Sequence, residues 1–204
     1  MPKGRPRQFD HDKVLDQAID VYWEHGCNGV GTRQLCEATG LNQSSLYNTF
    51  GDKDSFFAAA LERYAETKLD PLFEALEDDR PPMAALCTLI SIWESHNTQA
   101  DTPGCLFTHT LGEVGMNGAG PIPQAAAKIA ARLSRGIERR FRQADELGEL
   151  TVNSDPSQLA STFLVSGLGI AMAGRAGIDP SAIHGMARTM YQLIGCEGRA
   201  RAGP

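Results

Sequence analysis

Three groups of residues in this chain have types and spacings that could do chemistry. The first is the run QSSLYNTF, residues 43–50. Here Leu46 and Phe50, four apart, share one face of a helix, and Gln43, Ser44, Ser45, Tyr47, Asn48 and Thr49 are left largely to the outside. Gln and Asn can pair with the adenine edge, Ser and Thr can reach bases or phosphates, and Tyr can reach a phosphate. Arg33, one short segment earlier, suits guanine or the nucleic-acid backbone. Lys53 stands at the start of the next helix, where free N–H groups already favour a phosphate.

The second group is TPGCLFTHT, residues 102–110. With Thr102 as the N-cap, Cys105 falls at the third helical position, a setting that stabilises thiolate and suits reaction with oxidants or electrophiles. His109, four residues on, shares its face and could assist. A two-residue Cys–His pair is too small for a transition-metal site; His96 could extend it, but no spacing demands that, and no metal or cofactor is expected. The plainer alternative is a small apolar residue at a tight helix start.

The third group is apolar. Trp93, Phe107, Leu111, Met116, Phe141, Phe163 and Met172 are candidates to line a ligand cavity, with Thr108 and Glu113 to orient its contents. The same residues at helical spacing also suit ordinary core packing. The basic run RLSRGIERRFR, residues 132–142, reads as a solvated helix face; the alternative is contact with DNA or an anionic effector.

The elements that would position these groups are helices. Leu15, Ala18, Ile19 and Tyr22 recur with helical period, Asp10 is placed to cap that helix, and Gly26 to stop it. Short helices are expected at 32–38 and 43–49, with Gly40 in the turn and Asn42 as a cap. Asp52 caps a long helix that Pro71 should kink or end. Thr102-Pro, Asp155-Pro and Asp179-Pro each put a cap before a first-turn proline. Helices are therefore expected near 82–96, 103–115, 122–147, 156–175 and 180–195. No stretch alternates with period 2, so the class is all-α with about nine helices.

Composition sets the outer limits. The 204 residues are 42% hydrophobic and 22% charged, enough apolar content for one large domain or two small ones. The longest apolar run, 162–174, is shorter than the roughly 20 residues that span a bilayer, so no membrane partner is expected. No apolar stretch follows the basic N-terminus, which argues against a signal peptide. Five cysteines without CxxC or framework spacing suit a reducing cytoplasm. Net charge is −6, and residues 1–54 hold six basic against eight acidic side chains, 6 − 8 = −2. Asp12, Asp16, Asp20 and Glu24 recur every fourth residue, so that acidic face should turn from DNA. The tail PKGRPR could follow a groove as a basic arm. Few phosphate contacts imply a modest salt dependence.

Residues 7–65 resemble the tetracycline-repressor (TetR) family of bacterial regulators. The likeness rests on AIDVYWEHGCNGVGTRQLCEATGLNQSSLYNTFGDKDSFF: the Gly26–Gly29 hinge, Thr32 as a cap, GL at 40–41, LYNTF at 46–50 and KDSFF at 53–57. The resemblance implies a three-helix helix-turn-helix domain over 7–66 and a larger ligand-binding and dimerisation domain over 67–198. It matches Thr32, Tyr47, Thr49 and Lys53 to phosphate contacts, and Arg33, Gln43, Ser44 and Asn48 to groove-facing positions. It also implies a homodimer through the last two long helices, binding a palindromic operator in double-stranded DNA. A small apolar inducer would act through the C-terminal domain, with Trp93, Cys105, Phe107, His109, Leu111, Phe141 and Phe163 as its contacts. Some relatives with a similar GCL segment use a cysteine as an oxidant or electrophile sensor, so Cys105 is a second possible trigger. The apolar stretch STFLVSGLGIAMAGRAG, with Gly167, Gly169 and Gly174, independently suits a buried helix interface. An α-helical enzyme on a small hydrophobic substrate is the competing class, but no nucleophile–base pair is assembled in the sequence.

Overall fold

The computed structural model describes residues 9–99, 102–150 and 154–196, so the basic tail at 2–7 lies outside the described residues. Ten α-helices and no strand occur among the described residues. α1 (His11–Gly29) starts where the Asp10 carboxylate accepts the N–H groups of Asp12 and Lys13. Val14, Ala18, Ile19 and Tyr22 form its buried stripe. At Gly26 the backbone turns to φ 76°, ψ 173°, which interrupts the helix where a stop was expected.

α2 (Thr32–Thr39) ends on left-handed Gly40, and α3 (Gln43–Phe50) follows at once. α4 (Lys53–Thr67) is capped by Asp52, whose carboxylate accepts Ser55 N–H at 2.7 Å; that hydrogen bond holds the Asp52 pKa below the usual range. Pro71 does more than end α4. It occupies the first turn of a separate α5 (Asp70–Glu77), which makes ten helices where the sequence predicts about nine.

The remaining helices are α6 (Pro82–Asn97), α7 (Leu106–Val114), α8 (Pro121–Glu146), α9 (Pro156–Arg175) and α10 (Pro180–Leu193). Asp155 and Asp179 cap α9 and α10 through Ser157 and Ser181 N–H, as the Asp-Pro signals imply. The third such signal fails: Thr102 accepts the Gly104 N–H instead, and α7 begins only after Cys105. Gly104 has φ +72°, a left-handed residue that sets the chain turning before the helix can start.

α8 lies at the centre, packed by α4, α5, α6, α7 and α9. Two expectations about α9 change. The run 162–174 belongs to a helix of 20 residues that is long and apolar enough, by length and composition alone, to cross a membrane. Only 28% of its most apolar stretch is buried within the chain, so an apolar face remains uncovered. And its glycines do not all face outward. A Cβ at Gly167 would lie 2.5 Å from the Trp93 ring, and one at Gly174 2.8 Å from Asn97; both glycines let α6 approach, and only Gly169 is open.

The cysteines also differ from expectation. Cys87 of α6 and Cys196 after α10 are disulfide-bonded across 109 residues, because α10 packs on α6; spacing alone could not show this. Cys27, Cys36 and Cys105 are free.

Trp93 is wedged between Gly167 and Phe163, its ring 5.3 Å from the Phe163 ring. Gly167→Ala should therefore destabilise the fold by about 1–3 kcal/mol, as overpacking does in dense interiors. Urea denaturation measures it, and an unchanged midpoint would mean that the indole moves aside freely.

Candidate nucleic-acid interface

The reading unit is built on a small aromatic core. Leu35 of α2 and Leu46 of α3 are fully buried, and Tyr22 of α1 meets Phe57 of α4 edge-on with ring centres 4.6 Å apart. Phe50 packs on Phe56 at 4.7 Å and against His11, which stacks on Phe9. These contacts fix α3 by its inner face and leave the opposite face free.

That free face carries the expected residues. Gln43, Ser44, Asn48 and Thr49 are exposed on α3, with Arg33 exposed on α2. Thr32, Ser45, Tyr47 and Lys53 are half-buried at its margin. Asn42 caps α3: its side-chain oxygen accepts Ser45 N–H at 2.8 Å and the Ser44 hydroxyl at 2.7 Å. Thr49 donates back to the Ser45 carbonyl, and Arg33 pairs with Glu37 one turn on at 2.9 Å. That pair is exposed and weak, so Arg33 can exchange it for another anion.

Thr32 is not the cap of α2. Gly31 holds that position, and Gln34 accepts its N–H at 2.8 Å. Thr32 lies one residue inside the helix, and its hydroxyl hydrogen-bonds the Tyr47 phenol at 2.6 Å. The two hydroxyls thus brace α2 against α3 at the edge of the polar face, a link that residue types alone did not reveal.

Among the described residues, those expected around a ligand lie in several settings. Trp93 and Phe141 both pack on Phe163 in the core, with ring centres 5.3 and 5.5 Å from it. Phe107 is buried, Leu111 is partly buried, and Met116 and Met172 are exposed. A narrow apolar cleft between Phe141, Phe163, Met190 and Ile194 has a volume near 30 Å³, room for about one water. The basic run is also consumed internally. Arg132 pairs with Glu77, Arg142 with Glu138, and buried Arg140 donates to the carbonyls of Ala75, Asp78 and Arg80 at the end of α5. The solvated-face reading therefore holds only in part, since Arg140 is an internal cap.

Cys105 is the N-cap of α7, with extended backbone, rather than its third residue; its carbonyl accepts His109 N–H at 2.9 Å. The thiol is half-buried beside Tyr64, whose phenol is pushed well above its ordinary pKa by burial and then by the neighbouring thiol. His109 is held below its usual value by burial and by Arg175, against the opposing pull of Glu113. Glu113, expected near a ligand, instead accepts backbone N–H groups of α1. Among the described residues, no cluster of three metal-ligating side chains is present.

A helix-turn-helix with a polar outer face, followed by a helical second unit, defines a one-chain DNA-binding regulator. Comparison bears this out at both ends. Residues 14–60 match the model "Bacterial regulatory proteins, tetR family", and residues 82–190 match "Tetracyclin repressor-like, C-terminal domain". The chain belongs to the TetR family: it is a DNA-binding transcriptional regulator and not an enzyme. It is 27% identical over 194 residues to the HTH-type transcriptional repressor ComR of Escherichia coli K12, covering 94% of this chain and 91% of that one. It is 27% identical over 199 residues to the transcriptional regulator AcuR of Cereibacter sphaeroides, covering 92% and 88%. In fold it resembles a CifR cysteine mutant complexed with 26 bp double-strand operator DNA, at TM-score 0.76 and 23% identity over 92% of this chain and 98% of that one. The reduced form of E. coli NemR gives 0.79 at 19% identity, over 92% and 97%.

Because Asn42 holds the first turn of α3 with two hydrogen bonds, Asn42→Ala should cost about 1 kcal/mol of stability. Thermal unfolding followed by circular dichroism would register it as a lowered midpoint. No shift would mean that another group takes over the cap.

Proposed function

We propose that this chain is a homodimeric repressor that binds a palindromic operator through α3 of each subunit and is released by a small apolar ligand. The observation that carries the reading is the row Gln43, Ser44, Asn48 and Thr49, exposed on α3 and held outward by buried Leu46. In this reading Gln43, Ser44, Asn48 and Arg33 face base edges, while Thr32, Tyr47, Thr49 and Lys53 hold phosphates and Ser45 supports them. Residues 7–66 form the reading domain and 67–198 the ligand and dimer domain. A bacterial regulator of this kind acts in the cytoplasm, where its operator lies.

The dimer reading rests on the uncovered faces of α9 and α10. Val165 is 67% exposed and Met172 43% on α9, while Met186 and Leu193 are 42% and 46% exposed on α10. Their spacing of seven lays an apolar strip along each helix, and a partner copy covering it would leave neither helix facing water. Paired heads would then meet half-sites one helical turn, about 34 Å, or a multiple apart.

For the trigger, the packed Trp93–Phe163–Phe141 cluster must part to admit an apolar ligand, with Phe107, Leu111 and His109 on the α7 side. Such a ligand acts by binding the parted state more tightly. A second reading, a thiol sensor, is favoured by one observation. Cys105 is free and half-buried against Tyr64 of α4, the helix that carries the reading head, so a modified thiol would push on that helix.

DNA affinity at fixed salt, on fragments flanking the protein's own gene, tests both. Tyr47→Ala should weaken binding about tenfold, a loss of roughly 1.4 kcal/mol; undiminished binding would remove Tyr47 and the face around it from the interface. With a mild thiol oxidant, release of the native protein but not of Cys105→Ser would make the thiol the switch. Release of neither would leave Cys105 as packing and the apolar ligand as the trigger.

A further inference from the structure

We infer that Glu113 is a positioning residue for DNA binding: its carboxylate latches the end of α1 to α7 and so fixes the angle of the reading head on the ligand domain. The inference rests on the dimeric, two-half-site reading above. Glu113 Oε2 accepts the Cys27 N–H at 2.8 Å and Oε1 accepts the Asn28 N–H at 3.3 Å, across 86 and 85 residues of sequence. The two donors are available because Gly26, at φ +76°, breaks α1 and turns both N–H groups toward α7. A Cβ at Gly26 would lie 2.6 Å from the His109 ring and 2.7 Å from the Glu113 carboxylate, so the approach is as close as glycine permits.

The latch is built, not incidental. Burial alone would raise the Glu113 pKa, yet the Cys27 and Asn28 hydrogen bonds and the nearby His109 bring it below the ordinary value. The Cys27 thiol is pushed up to about 12, by burial and then by Glu113, so it stays protonated beside the carboxylate. A second tether runs parallel: Arg175, the last residue of α9, donates to the Trp23 carbonyl at 3.0 Å and the Pro103 carbonyl at 2.9 Å. Trp23 itself donates to the Gly104 carbonyl at 3.0 Å. The end of α1 is therefore held by side chains from α7 and α9 at once, and a shift of either helix is felt at the reading head.

A fixed head angle matters only when two heads must engage together. Once one head is bound, the second meets its half-site at an effective concentration set by how tightly its orientation is held. Loosening the latch should lower affinity for the full operator and leave the affinity of one head for one half-site as it was.

The experiment uses the full-length protein and an operator enriched by the native chain from random-sequence duplex DNA, with a fragment carrying half of it. Native, Glu113→Gln and Glu113→Ala proteins are titrated on both. The expected result is a loss of about tenfold on the full operator for Glu113→Ala, a smaller loss for Glu113→Gln, which keeps one acceptor, and no change on the half-site. Hydrogen exchange of the Cys27 and Asn28 amides should accelerate in the same order. Equal losses on both DNAs would reduce Glu113 to a structural role, and native affinity in Glu113→Ala would overturn the latch outright. If the native chain enriches only a single half-site, the two-headed reading fails and the latch with it.

Discussion

One constraint governs the molecule: α4 must pack into the reading unit and the second unit at once. At its N-terminal end Phe56 and Phe57 close the reading unit on Tyr22. At its C-terminal end Tyr64 is buried between the Trp23 ring, edge-on at 5.1 Å, and the Leu106 N–H, which donates to its phenol at 3.3 Å. A helix of 15 residues packed on α1 at both ends, and on α7 at the second, couples its two ends. Any repacking of α7 or α8 beneath Tyr64 must either carry the reading unit along or open the packing at one end of α4. The apolar core is accordingly continuous from Val14 of α1 to Ile194 beyond α10, so the two halves share it.

The electrostatics are arranged around the same helix. An acidic chain that binds a polyanion must keep its carboxylates away from the contact face. Arg63 of α4 pairs with Asp12 at 3.2 Å and with Asp16 at 2.9 Å, drawing half of the acidic stripe of α1 toward α4. The pairing lowers the Asp16 pKa, chiefly through the Arg63 hydrogen bond. Such exposed pairs add little stability. Their effect is on field: the Arg63 guanidinium offsets two carboxylates of α1, while Arg33 lies beside Glu37 and Lys53 beside Asp52 and Asp54. Binding then depends on short-range fit more than on long-range attraction.

Much of this was legible in the sequence wherever local rules act alone. Asp10, Asn42, Asp52, Asp155 and Asp179 cap the helices they precede, and Leu46 anchors α3 with its polar residues outward. What was not legible depends on contacts between distant segments. Thr102 looked like Asp155 and Asp179 because each precedes a proline, but left-handed Gly104 delays α7 and moves Cys105 from the third helical position to the cap. Glu113 looked like a ligand-orienting acid because nothing in its own helix shows that Gly26 brings two N–H groups to it. The candidate pocket residues are a different case. Aromatic spacing reports which side chains are buried, and burial is common to a cavity wall and a filled core.

That the aromatic centre is filled has a consequence for how such a regulator responds. Trp93 sits in a notch that exists only because residue 167 is glycine, Phe163 closes on it from α9, and Phe141 of α8 packs on Phe163. A ligand entering between them must move α9 relative to α6, since the notch leaves the indole no free space. α9 carries Arg175 at its end and the exposed strip with Val165 and Met172 on its flank. One displacement of α9 would therefore shift the tether on Trp23 and tilt the face where a second copy would pack. A packed core moves between discrete arrangements instead of yielding by degrees, so under the proposed function a small molecule at Trp93 would have a mechanical route to both the reading head and the surface where a second copy would pack.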